Sequence, residues 1–140
     1  MKELFKANVG NHEQLDAFSK KLLQHIQTGT LVGFSGELGV GKTELIRALS
    51  NNLGFQFSIS SPTYNIENKY DLSDNTHISH WDLYRLNQVD EFEQEIIELK
   101  QLKKAVIFVE WPDHIKHLLD IHVLLSFAEF NSRDITVYIK

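Results

Sequence analysis

Residues 36 to 43 read Gly-Glu-Leu-Gly-Val-Gly-Lys-Thr and match G-x-x-x-x-G-K-[ST], the Walker A phosphate-binding loop. Each residue type meets a chemical need. Glycines at 36, 39 and 41 let the backbone curl so that successive N–H groups point at one phosphate. The nucleotide loop is therefore read as Gly36, Glu37, Leu38, Gly39, Val40, Gly41, Lys42 and Thr43. Lys42 would set an ammonium between the outer phosphates, and Thr43 would offer its hydroxyl to a magnesium ion. The free amides and dipole of a following helix N-terminus favour an anion at the same place.

The motif requires strand, loop and helix in that order, and its flanks supply them. Thr30 to Ser35 reads as a buried strand. Leu45, Ile46, Leu49 and Leu53 recur at helical spacing, and Gly54 is a C-terminal stop. Upstream, residues 3 to 9 read as a short strand and Asn11 as an N-cap. Leu15, Phe18, Leu22 and Ile26 then share one helical face, with Gly29 ending the helix. Downstream, Phe55, Phe57 and Ile59 alternate as in a half-buried strand, interrupted by a turn at Ser60-Ser61-Pro62-Thr63. Tyr64, Ile66 and Tyr70 are expected on one strand face, Asp71 to Asn75 as a turn, and Thr76 to Trp81 as a strand. Asp90 to Leu102 has mixed helical spacing, Ala105 to Val109 is fully apolar, and Pro112 opens a short helix to residue 119. Ile121 to Phe130 and Asp134 to Ile139 alternate around Asn131-Ser132 as a hairpin. Early helices and late strands predict an α/β fold with a mixed sheet, parallel near the loop and antiparallel at its edges.

Composition narrows the function classes. A chain of 140 residues with 42% hydrophobic residues suits one domain over residues 1–140. The formal net charge of −5 offers no overall basic face, so any RNA role is expected to be indirect. With no cysteine there is no disulfide or thiol chemistry. No signal peptide or membrane-length apolar run is visible, so a cytoplasmic location and no membrane contact are expected.

Several residues are candidates for chemistry. Glu110 ends the apolar run, and in phosphate-loop enzymes such an acid holds magnesium beside the loop strand. Asp82, in His80-Trp81-Asp82-Leu83-Tyr84-Arg85, would orient a water near the metal or else pair with a nearby arginine. Thr63 would reach the γ-phosphate or metal, or else bond its own turn. Trp111 is either a base-stacking aromatic or a core one. Seven histidines show no strong zinc spacing. Asn68-Lys69-Tyr70-Asp71 matches the guanine-reading N-K-x-D, but it precedes the acid-ending strand, whereas a GTPase has it afterwards.

Four stretches together resemble the TsaE (YjeE) ATPases of bacterial tRNA threonylcarbamoyladenosine synthesis. They are SGELGVGKTELIRAL at 35 to 49, SPTYNIENKY at 61 to 70, HWDLYRL at 80 to 86 and VEWP at 109 to 112. The resemblance implies a P-loop NTPase-like three-layer fold and ATP with Mg2+ as the ligands. It puts Lys42 on the phosphates, Thr43 and Glu110 at the metal, Thr63 and Asp82 near the γ-phosphate, and Trp111 near the nucleotide. It further implies a weak ATPase that works with TsaB and TsaD and meets tRNA only indirectly. Two departures stand out: Gln14 replaces an early-helix threonine that helps hold the nucleotide, and the stretch after Asp90 lacks the usual glycine. From about residue 113 the chain carries little family signal. The rival readings are a small-molecule kinase on the same loop, disfavoured by only three arginines, and a nucleotide-responsive binding module without hydrolysis.

Overall fold

A computed structural model of the chain describes residues 1–55, 66–84 and 90–140. In chain order it contains β1 (Lys2–Val9), α1 (His12–Leu23), β2 (Leu31–Ser35), α2 (Lys42–Asn52), β3 (Glu67–Asp71) and β4 (His77–Asp82). Then come α3 (Asp90–Leu102), β5 (Ala105–Glu110), a 3-10 segment Asp113–Leu118, β6 (Ile121–Phe127), a 3-10 turn Glu129–Asn131 and β7 (Arg133–Ile139). The strands form one sheet in the order β1-β7-β6-β2-β5-β4-β3. β2 runs parallel to β5 and β6, and β4 runs parallel to β5, while β3, β7 and β1 pair antiparallel with their neighbours. This is the expected P-loop NTPase-like α/β fold, with a parallel centre and antiparallel edges.

β5 shows why the centre is parallel. All six of its residues are buried, so both faces of the strand need cover. Val106 and Phe108 pack with Phe34 and with Phe18, Leu45, Ile46 and Leu49 of α1 and α2. Ala105, Ile107 and Val109 face the other way, against Ile96 of α3, Ile115 of the 3-10 segment and Leu119 just after it. Two helical layers thus enclose the central strands. No described helix is long and apolar enough to cross a membrane.

Local chemistry sets the element ends. The Asn11 side chain accepts from the Gln14 N–H at 2.8 Å, and the Gln14 side chain accepts from the Gly10 N–H at 2.7 Å, which closes the first turn of α1. α1 ends at Leu23, earlier than the spacing predicts. Gly29, at φ +92°, instead donates its N–H to the Ala105 carbonyl at 2.7 Å and joins the entry of β2 to β5. Ile66 and Tyr70 do not share a face. Ile66 lies in a bend before β3 and packs toward Trp81, whereas Tyr70 joins the cluster of Phe34. β6 stops at Phe127, because Phe130 and Asn131 adopt left-handed backbone in the turn to β7 and Phe130 is 95% exposed. The readings at Phe57, Ile59, Ser60 to Thr63, Tyr64 and Arg85 lie outside the described residues.

Gly33 of β2 is closely hemmed in. A Cβ there would stand 2.7 Å from Leu119 Cδ1 and 2.9 Å from Pro112 Cγ. Gly33→Ala should lower unfolding free energy in urea by ~1–3 kcal/mol, the usual penalty of over-packing. Adding Leu119→Ala should cost less than the sum of the two single changes, because it makes room for the new methyl. Additive costs would show that this contact does not set the glycine.

Candidate functional site

The C-terminal ends of β2, β5 and β4 lie side by side, since Phe34 pairs with Glu110 and Glu110 with Asp82. β2 feeds the loop of residues 36 to 41, and α2 starts at Lys42. The N-cap of α2, Gly41, sits at φ +113° and has no side chain to cap the first turn, so the helix start is open to an anion. Gly36 is demanded by proximity: a Cβ would lie 2.5 Å from the Leu125 carbonyl oxygen and 2.8 Å from Val40 Cγ1.

Two cations shape the loop. Lys42 is 5% exposed, and its Nζ donates to the carbonyls of Gly36 and Glu37, the latter at 3.0 Å. The same ammonium lies 4.1 Å from the centre of the Trp111 ring, close enough for cation–π attraction. Burial pulls the Lys42 pKa down, against the nearby charges of Glu110 and Asp82. Arg133 opens β7, and its Nε donates to the Val40 carbonyl at 2.9 Å. In a trans peptide the N–H points opposite the C=O, so this bond aims the Gly41 amide away from Arg133. Its Nη1 also donates to the Asn131 carbonyl at 3.0 Å, tying the β6–β7 turn to the loop.

Glu110 is 3% exposed at the end of β5. The Thr43 hydroxyl donates to it, with Oε1 at 3.2 Å and Oε2 at 3.5 Å. Its Oε2 also lies 2.7 Å from His80 Nε2. Asp82 faces the same hollow, and one of its oxygens accepts from the Tyr84 N–H at 2.9 Å. Burial raises the Asp82 pKa, and the Glu110 charge raises it further, against the lowering bond from Tyr84. Hard oxygens from Thr43 and Glu110 with Asp82 alongside are the donor set that suits magnesium, which takes few protein ligands and keeps waters and phosphates.

Trp111 follows Glu110 with φ +59°, an uncommon conformation for a bulky residue. This turn brings its ring over Lys42 and 4.7 Å from the Tyr84 ring. Trp111 is thus a partly exposed site residue and belongs to neither core cluster, whereas Trp81 is 1% exposed and packs beside Phe92. Lys42, Thr43, Asp82, Glu110, Trp111, Leu38, Gly39 and Gly41 line one hollow of about 210 Å³. Val40 and Gly41 also line a second cleft of about 340 Å³, with Asn11, His12, Leu15 and Arg133. Gln14, which caps α1, is not in its wall. Thr63 lies outside the described residues.

Three neighbours escaped the sequence reading: His80, Tyr84 and Arg133. His80 carried a signal, since it stands two residues before Asp82 on one strand and therefore shares its face. Arg133 carried none, because β7 meets the loop only through the sheet order. The N-K-x-D stretch does not lie at this site. Asp71 pairs with His77 at the opposite end of β4 from Asp82, ~16 Å away at ~3.3 Å per strand residue.

The family model for "Threonylcarbamoyl adenosine biosynthesis protein TsaE" matches residues 9–135. The tRNA threonylcarbamoyladenosine biosynthesis protein TsaE of Borreliella burgdorferi is 38% identical over 96 residues, covering 68% of this chain and 69% of that protein. Its counterpart from Synechocystis is 32% identical over 106 residues, 74% of this chain and 67% of that protein. The crystal structure of YdiB from Bacillus subtilis has the same fold, with a TM-score of 0.71 at 24% identity over 99% of this chain and 87% of that one. The match across most of the chain and the level of identity place it in a family: the chain belongs to TsaE, the threonylcarbamoyl adenosine biosynthesis proteins.

Proposed function

We propose that the chain binds ATP with magnesium at the loop of residues 36 to 43 and hydrolyses it slowly, in service of tRNA threonylcarbamoylation. The observation that supports this most is the convergence of Lys42, Thr43, Asp82 and Glu110 at the ends of three adjacent parallel strands. The loop amides and Lys42 would hold the phosphates. Thr43 and Glu110 would hold magnesium, which when bound neutralises charge that develops on the phosphoryl oxygens. Asp82 would orient the attacking water, and Thr63 is proposed to act beside it. Trp111 covers Lys42, so it would meet the outer phosphates. The adenine and ribose are better suited to the cleft beyond Gly41, which has apolar walls at Leu15 and Val40 and polar groups at Asn11 and His12.

A small site that solvent can enter holds water and metal loosely. A docked partner would exclude solvent and fix the geometry. We therefore infer dependence on the TsaB and TsaD proteins, with tRNA met through them, in the cytoplasm.

Lys42→Ala should abolish hydrolysis and weaken ATP binding in calorimetry by ~2–4 kcal/mol, typical for truncating one partner of a sheltered charge pair. Unchanged affinity would remove the loop as the site. Glu110→Gln should leave ATP binding in place while turnover falls by at least ~100-fold, within the range for lost electrostatic stabilisation. Asp82→Asn should behave alike, and normal turnover in both would return them to structural roles. ATP or ADP should change the tryptophan fluorescence; Trp81→Phe should keep the response and Trp111→Phe should lose most of it. A signal carried by Trp81 would contradict the position assigned to Trp111. Steady-state turnover should rise when the TsaB–TsaD pair is added, and full activity without it would refute partner dependence.

A further inference from the structure

We propose that His80 is a positioning residue, which holds Glu110 so that one carboxylate oxygen stays on Thr43 and faces the magnesium position. The proposal rests on the site reading above. His80 is fully buried, at 0% exposure, and both of its ring nitrogens are engaged. An ionised carboxylate only accepts hydrogen bonds, so Nε2 must carry the proton given to Glu110 Oε2 at 2.7 Å. A neutral ring then leaves Nδ1 as an acceptor, and the Tyr70 hydroxyl meets it at 3.0 Å. The Glu110 carboxylate in front thus sets the tautomer, and the Tyr70 hydroxyl behind, able to donate or accept, supports it by donating to Nδ1.

The sheet register builds this line. His80 lies opposite Phe108 on β5 and Asn68 on β3, two places from both Asp82 and Ile78. Tyr70 pairs with Ile78, so its ring comes up on the same face as His80. The run of contacts passes from Tyr70 through His80 and Glu110 to Thr43, linking the sheet edge to the first turn of α2.

A carboxylate has a broad terminal torsion, so a bond at one oxygen is needed to aim the other. With Oε2 kept toward β4 by His80, Oε1 is left on the Thr43 side. Without that bond the buried carboxylate would turn toward the remaining strong donors, and the Lys42 ammonium is a cation that its charge reaches. Donors behind metal ligands set ligand orientation in this way, and their loss typically weakens metal affinity by ~10- to 100-fold.

The test uses the full chain and reads binding. His80→Gln can keep an N–H to Glu110 and loses the contact with Tyr70. His80→Leu keeps bulk and loses both. Tyr70→Phe removes only the outer hydroxyl. ADP affinity in EDTA, the magnesium concentration that half-saturates the gain in ATP affinity, and the melting temperature are measured for each. His80→Leu should bind ADP in EDTA as the unaltered protein does, yet need ~10-fold or more magnesium. His80→Gln should recover most of that loss, and Tyr70→Phe should shift the midpoint in the same direction by a smaller factor. A magnesium midpoint indifferent to all three changes would overturn the proposal, as would His80→Gln matching His80→Leu at equal melting temperature. Should His80→Leu fail to fold, the ordering of His80→Gln and Tyr70→Phe against the unaltered protein decides. If the unaltered protein binds no ADP at all, the site reading fails and takes this proposal with it.

Discussion

A carboxylate buried at the end of an apolar strand is tolerable only if donors meet it, and Glu110 is met from two sides. Thr43 reaches it from α2 and His80 from β4. Removing one partner of a buried charged group commonly costs ~3–5 kcal/mol, because the charge that remains is unsatisfied. The arrangement therefore depends on β5 lying between β2 and β4, with Phe34, Glu110 and Asp82 level with one another. That register brings a helix start, two acids and a lysine to one place.

The loop is held by contacts that leave it little freedom. Gly33 lies against Leu119 and Pro112 beneath it, and Gly36 against the Leu125 carbonyl beside it. Arg133 holds the Val40 carbonyl, which sets the direction of the next amide. Rigid support under a binding loop removes ordering cost at the moment of binding, which is how a modest surface gains useful affinity. The left-handed Trp111 belongs to the same economy of position: its unusual φ turns the indole back over Lys42. Backbone conformations of this kind tend to persist where the surrounding structure over-determines them, often at functional sites.

Much of this could be read from residues alone wherever a local rule decides the outcome. The Asn11 cap, the span of α2, the buried run of β5 and the β6–β7 hairpin each follow from periodicity or cap chemistry within one segment. The errors arise where a distant partner decides. Gly29 reads as a helix stop, yet its N–H goes to Ala105, far along the chain. Ile66 reads as a partner of Tyr70, but a bend turns it to the opposite layer. In the site, the loop residues announce themselves by pattern and the two acids by motif together with resemblance, whereas His80 follows only from its place two residues before Asp82 and Arg133 only from strand order. The Asn68 to Asp71 pattern shows the reverse case, in which a motif without its structural setting lies at the wrong end of the sheet.

Thr43 and Glu110 are proposed to hold a metal beside phosphates cradled by the loop. A crystal structure of the chain grown with a non-hydrolysable ATP analogue and manganese tests this most directly. An anomalous manganese peak is expected between the Thr43 hydroxyl and the Glu110 carboxylate, with the phosphates against the amides of residues 39 to 43. A nucleotide bound elsewhere, or a metal peak away from both side chains, would contradict it.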